Sequence, residues 1–87
     1  MRFRSFEWDE ANIGHIAFHR VTPEEAEEAC YNGPLIRKAR AERYYILGRS
    51  DNGRYLTVIV QPKWGGSARV ITARDMDKSE RQRYLRR

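Results

Sequence analysis

The 87-residue chain is long enough for one domain, so a single unit over residues 1–87 is expected, with a core small enough that homo-oligomers or hetero-oligomers are a natural source of extra stability. With 40% hydrophobic residues and ten aromatic side chains the composition excludes a disordered chain, and no apolar run approaches the ~20 residues that cross a bilayer. One cysteine, Cys30, excludes an internal disulfide and fits a reducing compartment; the charged start "MRFRSFEWDE" shows no export signal, so a cytoplasmic protein is expected.

The net charge of +5 is unevenly spread. Residues 1–30 carry three basic and seven acidic side chains, net −4, and residues 31–87 carry fourteen and five, net +9. So basic a segment attracts phosphate backbones by counterion release, or an acidic protein by complementarity. A solvated basic surface with no dedicated ligand remains the bland alternative.

"RFRSFEW" (2–8) alternates weakly and predicts a first strand. Asp9 then suits an N-cap, and Ile13, Ile16 and Ala17 predict a helix over 10–18, weakened by Gly14. "VTPEEAEEAC" (21–30) is the clearest helix start: Thr22 at the N-cap, Pro23 at N1, Glu25 at N3, and Val21 against Ala26 as a hydrophobic staple. That helix should stop near "NGP" (32–34), with a weak strand over 35–40. "ERYYILGR" (42–49), the turn "SDNG" (50–53), "RYLTVIVQ" (54–61), "PKWGG" (62–66) and "SARVITAR" (67–74) read as strands joined by tight turns. Asp77 should cap a last helix with Glu80 as its capping-box partner. The expected fold is α+β, an antiparallel β-sheet meander flanked by helices, in the order β-α-α-β-β-β(-β)-α.

His15 and His19 are spaced i, i+4, as two ligands of one metal would be, with Cys30 or a glutamate as a third. No cysteine cluster or H-E-x-x-H motif supports that reading, so no metal and no cofactor are expected. Cys30 falls late in a helix and reads as core. Trp8 and several tyrosines interleave with Arg49, Arg54, Arg69 and other strand-end arginines, a composition suited to stacking bases and gripping phosphates. Ordinary strand composition with charged edges explains most of the same residues.

The segment "RVITARDMDKSERQRYLRR" (69–87) combines a strand-end arginine, Arg74, with Glu80, Arg83 and Tyr84 on one side of a helix. A carboxylate, a phenol and arginines are suitable parts for RNA cleavage: a base for the 2′-hydroxyl, cations for the phosphorane and a proton for the leaving oxygen. Glu80 or a histidine would be the base. Taken residue by residue, a capping box with a basic face accounts for this segment at least as well.

Three segments together resemble the BrnT family of toxins: "FEWDEANIGHIAFHRVTPEEAEEA" (6–29), "ERYYILGRSDNGRYLTVIV" (42–60) and "RVITARDMDKSERQRYLRR" (69–87). The resemblance implies a RelE-like fold and a ribonuclease that acts without a metal and arrests translation. It also implies a neighbouring antitoxin, BrnA, that neutralises the toxin and binds DNA, the complex repressing its own operon. On this resemblance Arg74 matches the family's strand-end arginine, Glu80, Arg83 and Tyr84 match its last helix, His19 matches a histidine before the second helix, and Trp8 and Asp9 match a Trp-Asp pair. Arg74, Glu80, Arg83 and Tyr84, with His19 as a further candidate, are then the expected catalytic residues. RNA and an antitoxin are then the expected partners. Phe18 and Arg20 stand where family members usually carry Lys and Gly around that histidine, and the segment from Leu35 to Ala41 is short, which marks a divergent subgroup. A non-catalytic binding module on the same fold is the alternative reading.

Overall fold

A computed structural model describes residues 3–87. The elements in chain order are β1 (Ser5–Glu7), α1 (Glu10–Ala17), α2 (Pro23–Tyr31), β2 (Leu35–Lys38), β3 (Tyr44–Arg49), β4 (Tyr55–Pro62), β5 (Ser67–Asp75) and α3 (Lys78–Leu85). The expected α+β order is therefore present, with the weak strand at 35–40 realised as β2. The strand expected over 2–8 begins at a residue outside the described ones and is regular from Ser5 to Glu7.

The three capping boxes form where sequence places Asp, Thr and Asp before a helix. Asp9 accepts from the Ala11 and Asn12 amides, Thr22 from Glu25, and Asp77 from Glu80. Asn12 rather than a Glu closes the first box, its side chain accepting from the Asp9 amide at 2.8 Å.

The sheet order is β1-β5-β4-β3-β2. β2 to β5 form an antiparallel meander, but β1 lies parallel to β5, with Phe6 beside Ala68. The sheet is thus mixed, not wholly antiparallel. β1 pairs with the last strand, not its sequence neighbour, and α1 and α2 make the crossover between them. Beyond Glu7 the chain leaves the edge of β5 and α1 takes its place there. The buried Asn12 amide fixes this step by donating to the Glu7 carbonyl (2.8 Å) and the Val70 carbonyl (3.1 Å).

One face of the sheet packs on α1 and α2. Ile46, Leu56, Val58, Val60, Val70 and Ala73 meet Ile16, Val21, Ala26 and Ala29, all buried. α2 approaches β3 so closely that a Cβ on Gly48 would sit 1.8 Å from the Ala29 carbonyl oxygen, so only glycine fits there. Strand alternation turns Tyr45, Leu47, Tyr55, Thr57, Ile59, Thr72 and Arg74 to the other face. The eight-residue α3 covers part of that face and leaves the rest open.

Candidate active site

The covered part of the second face has a polar centre. Glu80, at the first turn of α3, is 4% exposed and accepts five hydrogen bonds. Arg74 donates to both carboxylate oxygens, at 2.8 and 2.9 Å. Thr57 donates from β4 at 3.0 Å, the Asp77 amide at 2.8 Å, and the Tyr45 hydroxyl from β3. The register explains the meeting: Thr57 is directly opposite Arg74, and Tyr45 sits on the next strand of the same face.

Burial alone would raise the Glu80 pKa. The donors from Arg74, Tyr45, Asp77 and Thr57 outweigh it and hold the carboxyl at about 2. Burial and the bond to Glu80 push Tyr45 up to about 12, against the opposing pull of the Arg74 and Arg83 charges. Near neutral pH Glu80 is therefore an anion with its lone pairs engaged, and Tyr45 a neutral donor. Such a carboxylate is a poor proton acceptor; it is suited to fixing the guanidinium of Arg74 in place.

Arg83 lies one turn on, exposed and close enough to Tyr45 for its charge to be felt there. Among the described residues no carboxylate pairs with it. The Arg74–Glu80 pair is neutral as a unit, so the unbalanced positive charge at this site comes from Arg83 and its neighbours. A groove beside it, between β2 and α3, is lined by Leu35, Arg37, Ser79, Gln82, Arg83, Arg86 and Arg87.

The other expected site residues are dispersed. Tyr84 is buried, packs edge-on against Tyr55 at 5.9 Å and accepts from Arg87 at 3.1 Å, so it anchors α3. Arg49 lies over the Tyr55 ring at the β3–β4 turn. Arg54 is held by Glu25 and Asp75, both at 3.0 Å, and Arg69 by Glu7 and Asp9 at 3.1 and 2.7 Å. Arg69 is the first cause of the Asp9 pKa falling to about 2. Trp8 is half-buried against the core and donates its indole N–H to Glu27 at 2.7 Å.

His19 is exposed just beyond α1, its ring 5.9 Å from that of His15. His15 reaches the sheet: its Nε2 lies 3.1 Å from the Thr72 hydroxyl. Thr72 and Arg74 are two residues apart on one strand and one face, about 7 Å along β5. Among the described residues no three His, Cys, Asp or Glu side chains cluster as metal ligands. Cys30 is buried, and burial followed by the Glu27 charge pushes its thiol up to about 12.

Tyr45 and Thr57 were not legible as site residues. Thr57 did carry a signal, a lone hydroxyl inside the apolar run "LTVIV"; at 0% exposure it needs a partner. Tyr45 carried none, because "YYIL" hides which tyrosine faces which side.

The model of one family, described as the ribonuclease toxin BrnT of type II toxin–antitoxin systems, matches residues 8–80 of the chain. No curated protein matches it.

Proposed function

The chain belongs to the BrnT family of type II toxin–antitoxin ribonuclease toxins, and from that premise we propose that it cleaves RNA without a metal at the Arg74–Glu80 site. Cleavage arrests translation in the bacterial cytoplasm, and a BrnA-like antitoxin relieves it. The observation that carries this reading is the guanidinium of Arg74 fixed on Glu80, with the exposed Arg83, which no carboxylate pairs among the described residues, acting on the same Tyr45 hydroxyl. In the reaction the 2′-oxygen loses its proton and attacks the adjacent phosphorus. The bond from phosphorus to the 5′-oxygen breaks, and that oxygen gains a proton, leaving a 2′,3′-cyclic phosphate and a 5′-hydroxyl. Arg74 and Arg83 neutralise the charge gathering on the phosphorane. Glu80 positions Arg74, and Tyr84 positions α3. The two proton transfers fall to the imidazoles, the side-chain type best suited to them near neutral pH. His15, in contact with Thr72, has the stronger claim, with His19 beside it. Arg49, with its guanidinium free of acidic partners among the described residues, contributes to RNA binding at the margin, while Arg54, Arg69 and Trp8 bind RNA only through what their internal contacts leave exposed.

The test is cleavage of a single-stranded RNA by purified protein in excess chelator, with the product ends identified, beside growth after controlled induction. Wild type should cut and arrest growth, and Arg83→Ala should lose most cleavage while keeping its melting temperature, since Arg83 is exposed. Intact RNA with wild type would favour the binding-module reading. Phe18, 89% exposed where the family usually has lysine, is the observation on that side.

A further inference from the structure

β2 is the last strand of the sheet, paired on one side with β3. Along its outer edge the Arg37 guanidinium folds back onto the Ile36 carbonyl at 3.2 Å. An unpaired edge is a template for another strand, and natural proteins guard such edges with charge. Here the guard has one sign. Arg37 and Lys38 lie on β2 and are exposed; Arg37 lines the groove, and Arg83 on α3 and Arg86 just beyond its end line it with Arg37. None of the four has a carboxylate partner among the described residues. The groove is closed at one end where Arg87 donates to the Gly33 carbonyl at 3.1 Å, and Leu35 supplies a half-buried apolar floor. A second copy of this chain would bring Arg37 and Lys38 against their own kind, so the edge rejects self-pairing.

We infer that this edge is the seat of the antitoxin's neutralising segment: an extended, acidic stretch that adds to β2 as a sixth strand and sets its carboxylates on Arg37, Arg83 and Arg86. The inference rests on the family reading for the existence of an antitoxin; the site and the chemistry of its occupant come from the edge and the groove. A polypeptide is favoured over an RNA strand because the backbone edge and the Leu35 floor suit main-chain pairing and an apolar side chain. Arg37 lies opposite Tyr45 across the β2–β3 pair, and Arg83 serves both groove and site. A segment seated here therefore takes Arg83 away from the phosphate and walls off the site from the β2 side.

The experiment uses the toxin together with the protein encoded by the adjacent gene. Hydrogen exchange of residues 35–38 should slow on complex formation, and the double reversal Arg37→Glu, Arg86→Glu should weaken the complex at least tenfold while the toxin's melting temperature holds. Unchanged exchange at 35–38, unchanged affinity in the double variant, or no complex at all would each overturn the inference. A double variant that binds the antitoxin normally but needs more of a single-stranded RNA oligonucleotide for half-maximal cleavage would give the groove to RNA instead. Failure of the ribonuclease reading would look different: intact RNA with a normal complex.

Discussion

Arg74 grips Glu80 through two parallel hydrogen bonds of 2.8 and 2.9 Å, and the two residues differ in exposure: the Arg74 side chain is 38% exposed and that of Glu80 6%. The arginine thus faces outward while its partner is sealed beneath it. Removing the arginine leaves a buried carboxylate with neutral donors from Tyr45, Thr57 and the Asp77 amide but no cation. That defect costs about 3 kcal/mol, the low end for a broken buried pair because Arg74 is partly exposed. Arg74→Ala is therefore expected to lose both activity and stability, whereas Arg74→Lys, which keeps the charge but not the fork, should retain most of the stability and little of the cleavage. Urea unfolding beside a cleavage assay separates the two. An Arg74→Lys variant that cuts as fast as wild type would show that bidentate geometry is not what the reaction uses.

The same burial makes stability depend on acid. The folded-state pKa of Glu80, about 2, lies below its ordinary value of 4.5. A depressed carboxyl stabilises the fold fully above the unfolded pKa, and that contribution is lost as the pH falls from about 4.5 towards about 2. The shift corresponds to about 3 kcal/mol as an upper figure. Glu80→Gln should already be destabilised at neutral pH and should show a shallower decline through the acid window. Asp9, held low by Arg69 but exposed, leaves a residual slope in both proteins. Unfolding midpoints measured from about pH 5 downwards test this; parallel curves for the two proteins would place the acid sensitivity elsewhere.

Tyr45 and Thr57 bind opposite oxygens of the Glu80 carboxylate. Tyr45→Phe should cost about 1–2 kcal/mol by leaving one oxygen short of a donor. It should also raise the acid midpoint of unfolding, because Tyr45 is the second-strongest donor holding the carboxyl low. If cleavage falls in proportion to the loss of fold and no further, Tyr45 acts through Glu80 alone.

Local features were the legible ones. Asp9, Thr22 and Asp77 announced their helices because a cap depends on residues three apart, and "SDNG" announced its turn because Gly53 adopts a φ of 90°. What depended on distant pairing was hidden. The parallel seating of β1 on β5 joins residues 62 apart and leaves no periodic trace. The site was half legible: Arg74, Glu80 and Arg83 came from one continuous segment, while Tyr45 and Thr57 reach it only through sheet register. Arginine at strand ends was a poor guide, because Arg54 and Arg69 find carboxylates on α2, β5, β1 and the α1 cap that are remote in sequence.

Gly48 gives a packing test. Its missing side chain lets α2 lie on β3, and the obstacle to any Cβ is backbone, which cannot swing aside. Gly48→Ala should force the helix outward and cost at least ~1–3 kcal/mol. Gly14, with nothing within 4 Å of an added Cβ, is the control: Gly14→Ala should stabilise α1 by about 0.5–1 kcal/mol. Equal melting temperatures for the two variants would mean that α2 yields at Ala29 without cost.

The turn between β2 and β3 is short for a physical reason that carries its own prediction. Residues 40–43 close on themselves, the Arg43 amide donating to the Arg40 carbonyl at 3.1 Å, and the two central residues, Ala41 and Glu42, both hold φ at 58°. This is the backbone of a type I′ turn, where Asn-Gly is the favoured pair and a residue with a Cβ is strained by about 1–2 kcal/mol. Ala41→Asn with Glu42→Gly should therefore raise stability by about 1–2 kcal/mol, even though glycine adds freedom to the unfolded chain. The turn lies at the end of β2 away from the Arg87–Gly33 bond, outside the proposed groove lining, so antitoxin affinity should not change. Differential scanning calorimetry reads the first expectation and titration with the antitoxin the second. A double variant that melts lower than wild type would show that the neighbouring contacts, not turn chemistry, dictate this conformation.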